Sequence, residues 1–367
     1  MRVAYDHQIF SGQEYGGVSR YFFEVARRIR AFDGYEVDIL CPLFVNKYLN
    51  SDRSIKVWGK HVAAFPVPKR VTQMFNAGLV GWKLHRDPPD IVHETYYLRK
   101  KLAGSRTKSV VTVYDMIYEK FPQFFPNDDP TTEDKRAAVQ RADHIICISE
   151  STRSDLVDMW GIDRNRTSVV HLSHTARDRK TDAMPAITDR PYIAYVGARV
   201  GYKNFSGLLR AFGSSEYLRS NFSIVCFGGV ALTSEDRREM ALAKMTPEQV
   251  IHLKGSDDLL ENVYRSAMAF VYPSLFEGFG LPALEAMSAG CPVVTSKAGS
   301  LGEICEDAAE YFDPDEPESI AQSIERVVTS SERRQELIAL GQIQIRKFSW
   351  DKCAKQTAAI YEAVSKR

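Results

Sequence analysis

The sequence predicts an α/β protein built from two doubly wound, mostly parallel sheets. Three observations carry this. Apolar runs of strand length alternate with segments of helical period along the whole chain, the pattern of repeated β–α–β units. The 367 residues suit two domains of ordinary size. Between the halves, Thr175 to Pro191 is polar, charged and closed by Pro185 and Pro191, which reads as a linker.

Composition narrows the class further. Apolar residues make up 44% and charged residues 26% of the chain, ordinary for a soluble globular protein. A net charge of +1 gives no global field for nucleic acid, so none is expected as a partner. The six cysteines are scattered without a C-x-x-C pair, and most sit in apolar runs, as reduced thiols of a cytoplasmic protein do. The eight histidines show no zinc-binding spacing. Met1 to Asp6 reads as the start of a strand rather than a signal peptide. No apolar run approaches the roughly 20 residues a membrane span needs.

In the first half, strands are expected at Arg2–Tyr5, Glu36–Cys41, Ser54–Trp58, Asp90–His93, Ser109–Tyr114, His144–Ser149 and Thr167–Leu172. The first leads through a loop ending in Gly16-Gly17 to a helix with Val18, Phe22, Val25, Ala26 and Ile29 on one face. Glycines at a helix entrance let backbone N–H groups approach a phosphate, although a bare turn has the same signature. Pro66 to Arg86 mixes apolar and basic residues without an acid, and Arg99, Lys100, Lys101, Arg106 and Lys108 follow. Such charge is ordinarily solvated surface; the sharper reading is a surface that meets anionic lipid or a lipid diphosphate. Two strands close in His93-Glu94-Thr95-Tyr96-Tyr97 and Tyr114-Asp115, and the C-terminal ends of parallel strands line the crevice of such a fold. Asp115 either caps the segment after it or orients a substrate hydroxyl as a base.

In the second half, strands are expected at Tyr192–Gly197, Ser223–Phe227, Val250–Leu253, Met268–Tyr272 and Val293–Thr295. Arg199 and Lys203 stand in the turn after the first of these, before a helix from Phe205 to Phe212. Arg as a planar fork and Lys as a point charge suit a diphosphate. Gly228 follows the second strand and Ser256 the third. The strand ending at Tyr272 opens into a loop with Glu277, Gly278, Phe279 and Gly280, and a helix runs from Leu281 to Ala289 with Pro282 in its first turn. Glycines and a helix amino end favour an anion there. Glu285 shares a face with Leu281 and leans toward that end, where its two oxygens can accept from neighbouring hydroxyls. A phosphate at the helix end and a diol at the carboxylate describe a nucleotide or a nucleotide sugar.

Glu277 and Glu285, with Gly278, Gly280 and Pro282 between them, resemble the E-x7-E signature of the family-4 retaining glycosyltransferases. Ala286 to Val294 continues that family's pattern, and Phe348-Ser349-Trp350-Asp351 resembles the start of its closing helix. The resemblance implies the GT-B fold, two Rossmann-like domains facing a cleft. Their expected limits are an acceptor-side domain over 1–180, a nucleotide-sugar domain over 181–345, and a closing helix over 346–367 that crosses back to the first domain.

The resemblance also implies roles. Gly16-Gly17, Arg199, Lys203 and the N–H groups of Phe279, Gly280 and Leu281 would hold the donor diphosphate. Glu285 would hold the ribose and Glu277 the transferred sugar, while the turns at Gly228 and Ser256 would meet the nucleotide. Relatives carry His-Asp where this chain has Tyr114-Asp115, which leaves a phenol to donate to the sugar. Likewise the gap from Arg199 to Lys203 is one residue shorter than in relatives, which makes Lys203 the firmer assignment. The expected chemistry is metal-independent transfer of a hexose with retention, by front-face attack, onto a glycan or a lipid-linked saccharide. No cofactor is implied beyond the nucleoside diphosphate sugar substrate, and Asp128-Asp129 precedes a proline rather than forming a metal motif. The opening Tyr5 to Phe10 and Gly201 to Phe205 resemble bacterial mannosyl- and rhamnosyltransferases of surface polysaccharide and lipopolysaccharide assembly, so GDP-mannose or a related GDP-deoxyhexose is the donor expected. The location expected is cytoplasmic, including the inner face of the membrane. Rival readings are a sugar-nucleotide 2-epimerase of the same fold, which would work without an acceptor, and a sugar-binding protein, a class usually exported.

Overall fold

The structure, a computed structural model, describes residues 1–52, 54–65, 67–174, 186–199 and 201–367. The expected linker Thr175–Pro191 lies largely outside these residues, as do Pro66 and Val200. The chain divides into two compact units: Met1–Leu172 with Ser349–Arg367, and Ser173–Phe348.

The first unit holds a seven-stranded sheet of β1 (Arg2–Tyr5), β2 (Glu36–Phe44), β3 (Lys56–His61), β4 (Ile91–Glu94), β5 (Lys108–Val113), β6 (His144–Cys147) and β7 (Thr167–Val169). The strand order is β3-β2-β1-β4-β5-β6-β7 and every pair is parallel. The second holds a six-stranded sheet of β8 (Tyr192–Val196), β9 (Ser223–Phe227), β10 (Val250–Leu253), β11 (Ala269–Tyr272), β12 (Val293–Thr295) and β13 (Ala309–Tyr311). Its order, β10-β9-β8-β11-β12-β13, is also wholly parallel. Both sheets reverse their order beside their first strand, which is the doubly wound Rossmann pattern. Parallel strands covered on both faces need continuous apolar runs, and every residue of β8, β9 and β11 is buried.

The two-domain α/β expectation therefore holds, and the departures lie at sheet edges. β13 was not anticipated: its three residues include Glu310, which pairs with Arg326 and Arg333, so no apolar run marks it. β3 begins two residues later than expected and is half-exposed. β2 continues past Cys41 through Pro42, where its register with β3 shifts between Leu40 and Leu43, as suits a residue with no N–H for the ladder.

The last helix, Trp350–Ser365, belongs to the first unit and packs on helix Gly17–Arg30. Ser349 caps it, accepting from Lys352 N at 3.1 Å, while Asp351 instead pairs with Arg28 at 2.6 Å. Its buried Tyr361 closes an internal hydrogen-bond chain, with Oη 3.0 Å from Tyr5 Oη and 2.6 Å from His93 Nδ1. His93 Nε2 lies 2.8 Å from Thr112 Oγ1, which Tyr21 Oη meets at 3.2 Å. Burial holds the His93 ring neutral, its pKa pushed down to about 3. Tyr361→Phe should therefore leave two buried polar groups short of a partner and cost about 1–3 kcal/mol, read as a lower urea midpoint with an unchanged slope. An unchanged midpoint would mean that Tyr5 and His93 find each other without the phenol.

Candidate functional site

The second unit gathers its polar groups where the strand order reverses, at the C-terminal ends of β8 and β11. After β8, Gly197 turns at φ 128° and residues 201–203 form a short 3-10 turn. Asn204, left-handed at φ 53° and buried, ends that turn; its Nδ2 donates to Pro314 O at 2.8 Å. The turn is tied to the loop after β11 by Leu275 N donating to Tyr202 O at 2.8 Å. Farther along that loop, Glu277 O accepts from both Ser300 N and Ser300 Oγ at 3.0 Å. Gly299, at φ 59°, leaves the room this needs, since a Cβ there would lie 2.9 Å from Glu277 N.

These backbone constraints bring Lys203 and Glu277 together. Lys203 Nζ lies 2.6 Å from Glu277 Oε1 and 3.3 Å from Tyr272 Oη. The two side chains are 17% and 8% exposed, so the pair is largely withdrawn from water, where its attraction is strong. Burial first, and then the Glu277 charge, push the Tyr272 phenol well above its ordinary value. The phenol therefore stays protonated beside the pair.

Next to the pair, Gly278 and Phe279 are buried and Gly280 turns at φ 106° as the N-cap of helix Leu281–Ser288. No side chain caps this end, and Pro282 lies in its first turn. Phe279 packs edge-on against Phe348 at 5.9 Å, which anchors the loop. Glu285 is half-buried, one turn into the helix, beside the buried Tyr264 phenol; burial and then the Glu285 carboxylate push that phenol well above its ordinary value. Gly228, at φ 86°, donates to Leu253 O at 2.9 Å and accepts from the His252 ring at 2.9 Å. Ser256 is exposed, and its Oγ caps helix Asp257–Ser266 by accepting from Leu259 N at 3.3 Å.

Arg199 needs a correction. The sequence pairs it with Lys203, but its side chain is 3% exposed and its Nε lies 3.2 Å from Asp236 Oδ2. It also donates to Val230 O and stands 5.7 Å from the Phe205 ring. Asp236 is the capping-box residue of helix Ser234–Leu242, so Arg199 is held inside the unit and its charge is answered there. Of its three nitrogens, Nη1 is left without a partner among the described residues.

The first unit corrects two further expectations, the Tyr114 phenol as a donor to the sugar and the His93-Glu94 strand end as lining of the crevice. The Tyr114 phenol is buried and donates to Thr95 O at 3.0 Å, so its proton is not offered to a ligand. Asp115 Oδ1 accepts from Ile117 N at 3.0 Å, the capping reading, and buried Lys135 donates to its carbonyl at 2.9 Å. His93 and Glu94 turn into the core rather than the crevice; Glu94 pairs with Arg141 at 2.6 Å, and burial pushes it up to about 8. Gly16 is the extended N-cap of helix Gly17–Arg30, and the Gln13 carboxamide lies at that end, accepting from Ser19 N at 3.4 Å. A Cβ at Gly16 would overlap that side chain.

Three contributors were missed by sequence reasoning: Tyr272, Asn204 and Ser300. Tyr272 reads as the last apolar residue of a strand, and Ser300 lies 23 residues from the carbonyl it holds. Asn204 carried the clearest signal, because an asparagine directly before a helix is ordinarily its cap. Here its side chain makes no cap bond and reaches Pro314 O instead. Among the described residues no three His, Cys, Asp or Glu side chains gather as metal ligands would.

Comparison with known proteins adds to this geometry. Residues 177–343 match the family model "Glycosyl transferases group 1", and residues 15–172 match "Glycosyltransferase Family 4". O-antigen chain mannosyltransferase B of Escherichia coli is 27% identical over 94% of this chain and 96% of its own. Sucrose-phosphate synthase from Thermosynechococcus elongatus superposes with a TM-score of 0.76 at 19% identity, over 99% of this chain and 98% of that one. HepE of Anabaena, solved with UDP-glucose, superposes with a TM-score of 0.72 at 18% identity, over 99% of this chain and 100% of its own.

Proposed function

Since the chain belongs to glycosyltransferase family 4, with both halves matched and the GT-B fold, we propose that it moves a hexose, with retention, from a nucleoside diphosphate sugar to a hydroxyl of a glycan or glycolipid in surface polysaccharide assembly. The observation that carries this is the buried Lys203–Glu277 pair beside the glycine-turned amino end of helix Leu281–Ser288. Lys203 and that helix end would stabilise the departing diphosphate, Glu285 would hold the ribose diol, and Glu277 would take the sugar hydroxyls and face the charge developing at its anomeric carbon. Attack from the face that the diphosphate leaves would pass the acceptor proton to a diphosphate oxygen. Arg199 takes a supporting place in this scheme, keeping the turn before Lys203 in shape.

Similarity to the O-antigen chain mannosyltransferase supports mannose or a related sugar, and GDP is the carrier proposed for it. No helix among the described residues is long and apolar enough to cross a membrane, and contact with the inner face of an anionic membrane is proposed as peripheral. The test is a thermal-shift panel of GDP, UDP and ADP in EDTA. GDP should raise the melting temperature most, because a ligand that binds only the folded state stabilises it. Transfer from GDP-mannose should persist in EDTA, since Lys203 and a helix end supply the positive charge. Loss of activity on chelation, restored by Mg²⁺, would overturn the metal-independent mechanism.

A further inference from the structure

The Lys203–Glu277 pair has a third, neutral member in the Tyr272 phenol. Tyr272 ends β11 and is 2% exposed. Its backbone is fixed on β12: it pairs with Thr295, whose Oγ1 donates to Tyr272 O at 2.9 Å. Its ring is fixed by Phe270, two residues back on the same face of the strand, with centroids 5.4 Å apart. The strand and this packing together decide where the hydroxyl stands.

The hydrogen-bond directions around that hydroxyl follow from the donors present. Lys203 Nζ lies 3.3 Å away, and an ammonium can only donate. The phenol oxygen therefore accepts from Lys203. Its single proton is left for the Glu277 carboxylate, with which it is hydrogen-bonded. Glu277 thus receives two donors, one charged and one neutral. They differ in freedom. Lys203 is a point charge on a flexible stem, able to turn toward an anion, and it stands between the Tyr202 and Tyr272 rings at 5.2 and 5.4 Å. The phenol is held by its strand and cannot follow.

A diphosphate would draw Lys203 toward itself. The Glu277 carboxylate, 8% exposed, would then lose its ion-pair partner where little water can replace it. The phenol acts on this step in two opposed ways. As an acceptor it competes with the diphosphate for Lys203. That competition is slight, because 3.3 Å is long for a charged donor and the ammonium has two further protons. As a donor it meets a carboxylate that has just lost its cation, and a hydrogen bond to an ionised acceptor is roughly twice as strong as a neutral one. The second effect prevails, so the hydroxyl favours the state in which the pair has opened.

We propose that Tyr272 is a positioning residue of the donor site: its hydroxyl keeps hold of the Glu277 carboxylate while a diphosphate takes Lys203, so that Glu277 stays in place as the cation changes partners. The inference rests on the reading of Lys203 as the diphosphate's cation, but its test needs no turnover. Calorimetric affinities for GDP and for inorganic diphosphate are measured in the native protein, Y272F, E277Q and Y272F/E277Q, with a melting curve of each to show that it is folded. Y272F should weaken both ligands roughly tenfold, because the carboxylate then has no donor when Lys203 turns. In the E277Q background the same substitution should change neither affinity by more than about twofold, since a carboxamide carries no charge to be answered. A packing role would give the same loss in both backgrounds. That additive result, or no loss in Y272F, would overturn the proposal. Folding of Y272F/E277Q but not of Y272F would show the same dependence in stability and support it; if neither folds, the hydroxyl is a structural prop and the proposal falls. The expected pattern with inorganic diphosphate, but no binding of GDP, UDP or ADP, would sink the nucleotide reading and leave the role of Tyr272 standing. GDP binding without the pattern would do the reverse, and a native protein that binds neither ligand would overturn both.

Discussion

Lys203→Ala is expected to lower kcat by roughly 100-fold or more, because a cation fixed at the leaving group acts mainly in the transition state. The structure adds a second effect that must be separated from the first. Lys203 is the ion-pair partner of a Glu277 carboxylate that is 8% exposed. Removing one member of such a pair leaves a buried charge unanswered and costs on the order of 3–5 kcal/mol. The single variant would then be both slow and unstable, and slowness alone would prove little. The double variant Lys203→Met with Glu277→Gln removes both charges and should regain most of the lost melting temperature. It should regain no activity. If the double variant, or Lys203→Ala under stabilising conditions, turns over at the wild-type rate, Lys203 is a structural partner of Glu277 and nothing more.

This pair also shows where the sequence stops being readable. Lys203 and Glu277 were each identifiable from residue type and local pattern: a cation in a strand-to-helix turn, a carboxylate before a glycine loop. That they meet at 2.6 Å across 74 residues of chain depends on β8 and β11 being neighbours in the sheet, which apolar periodicity does not reveal. The same limit explains Arg199, whose partner Asp236 is 37 residues away and looks in sequence like an ordinary helix cap. Tyr114 and His93 failed for a simpler reason. A polar residue at a strand end can face the crevice or turn inward onto a buried partner, and the run of apolar residues before it is the same in both cases. The central strands, in contrast, were legible because burial on both faces forces every position to be apolar. Edge strand β13, half-covered and carrying Glu310, escapes that requirement and the sequence signal with it.

The second large effect separates the two glutamates. Glu285 stands one turn into helix Leu281–Ser288, beside the Tyr264 phenol. Its proposed partner, the ribose, does not change during reaction, so the contact stabilises ground and transition states alike. Glu285→Gln should raise donor KM and weaken GDP binding roughly tenfold, with a smaller loss of kcat. Glu277 is proposed to face the transferred sugar, where positive charge develops. Glu277→Gln keeps the shape and removes the negative charge, and kcat should fall roughly 100-fold. The free protein sharpens the expectation for binding. Glu277 now holds Lys203 Nζ at 2.6 Å, so a bare nucleoside diphosphate must share that cation with a carboxylate. Taking the carboxylate's charge away leaves Lys203 wholly to the diphosphate. Glu277→Gln should therefore bind GDP at least as tightly as the native protein while turning over slowly. Calorimetric GDP affinities and initial rates for both variants decide the matter: weaker GDP binding by Glu277→Gln together with a pure turnover loss in Glu285→Gln would reverse the two roles.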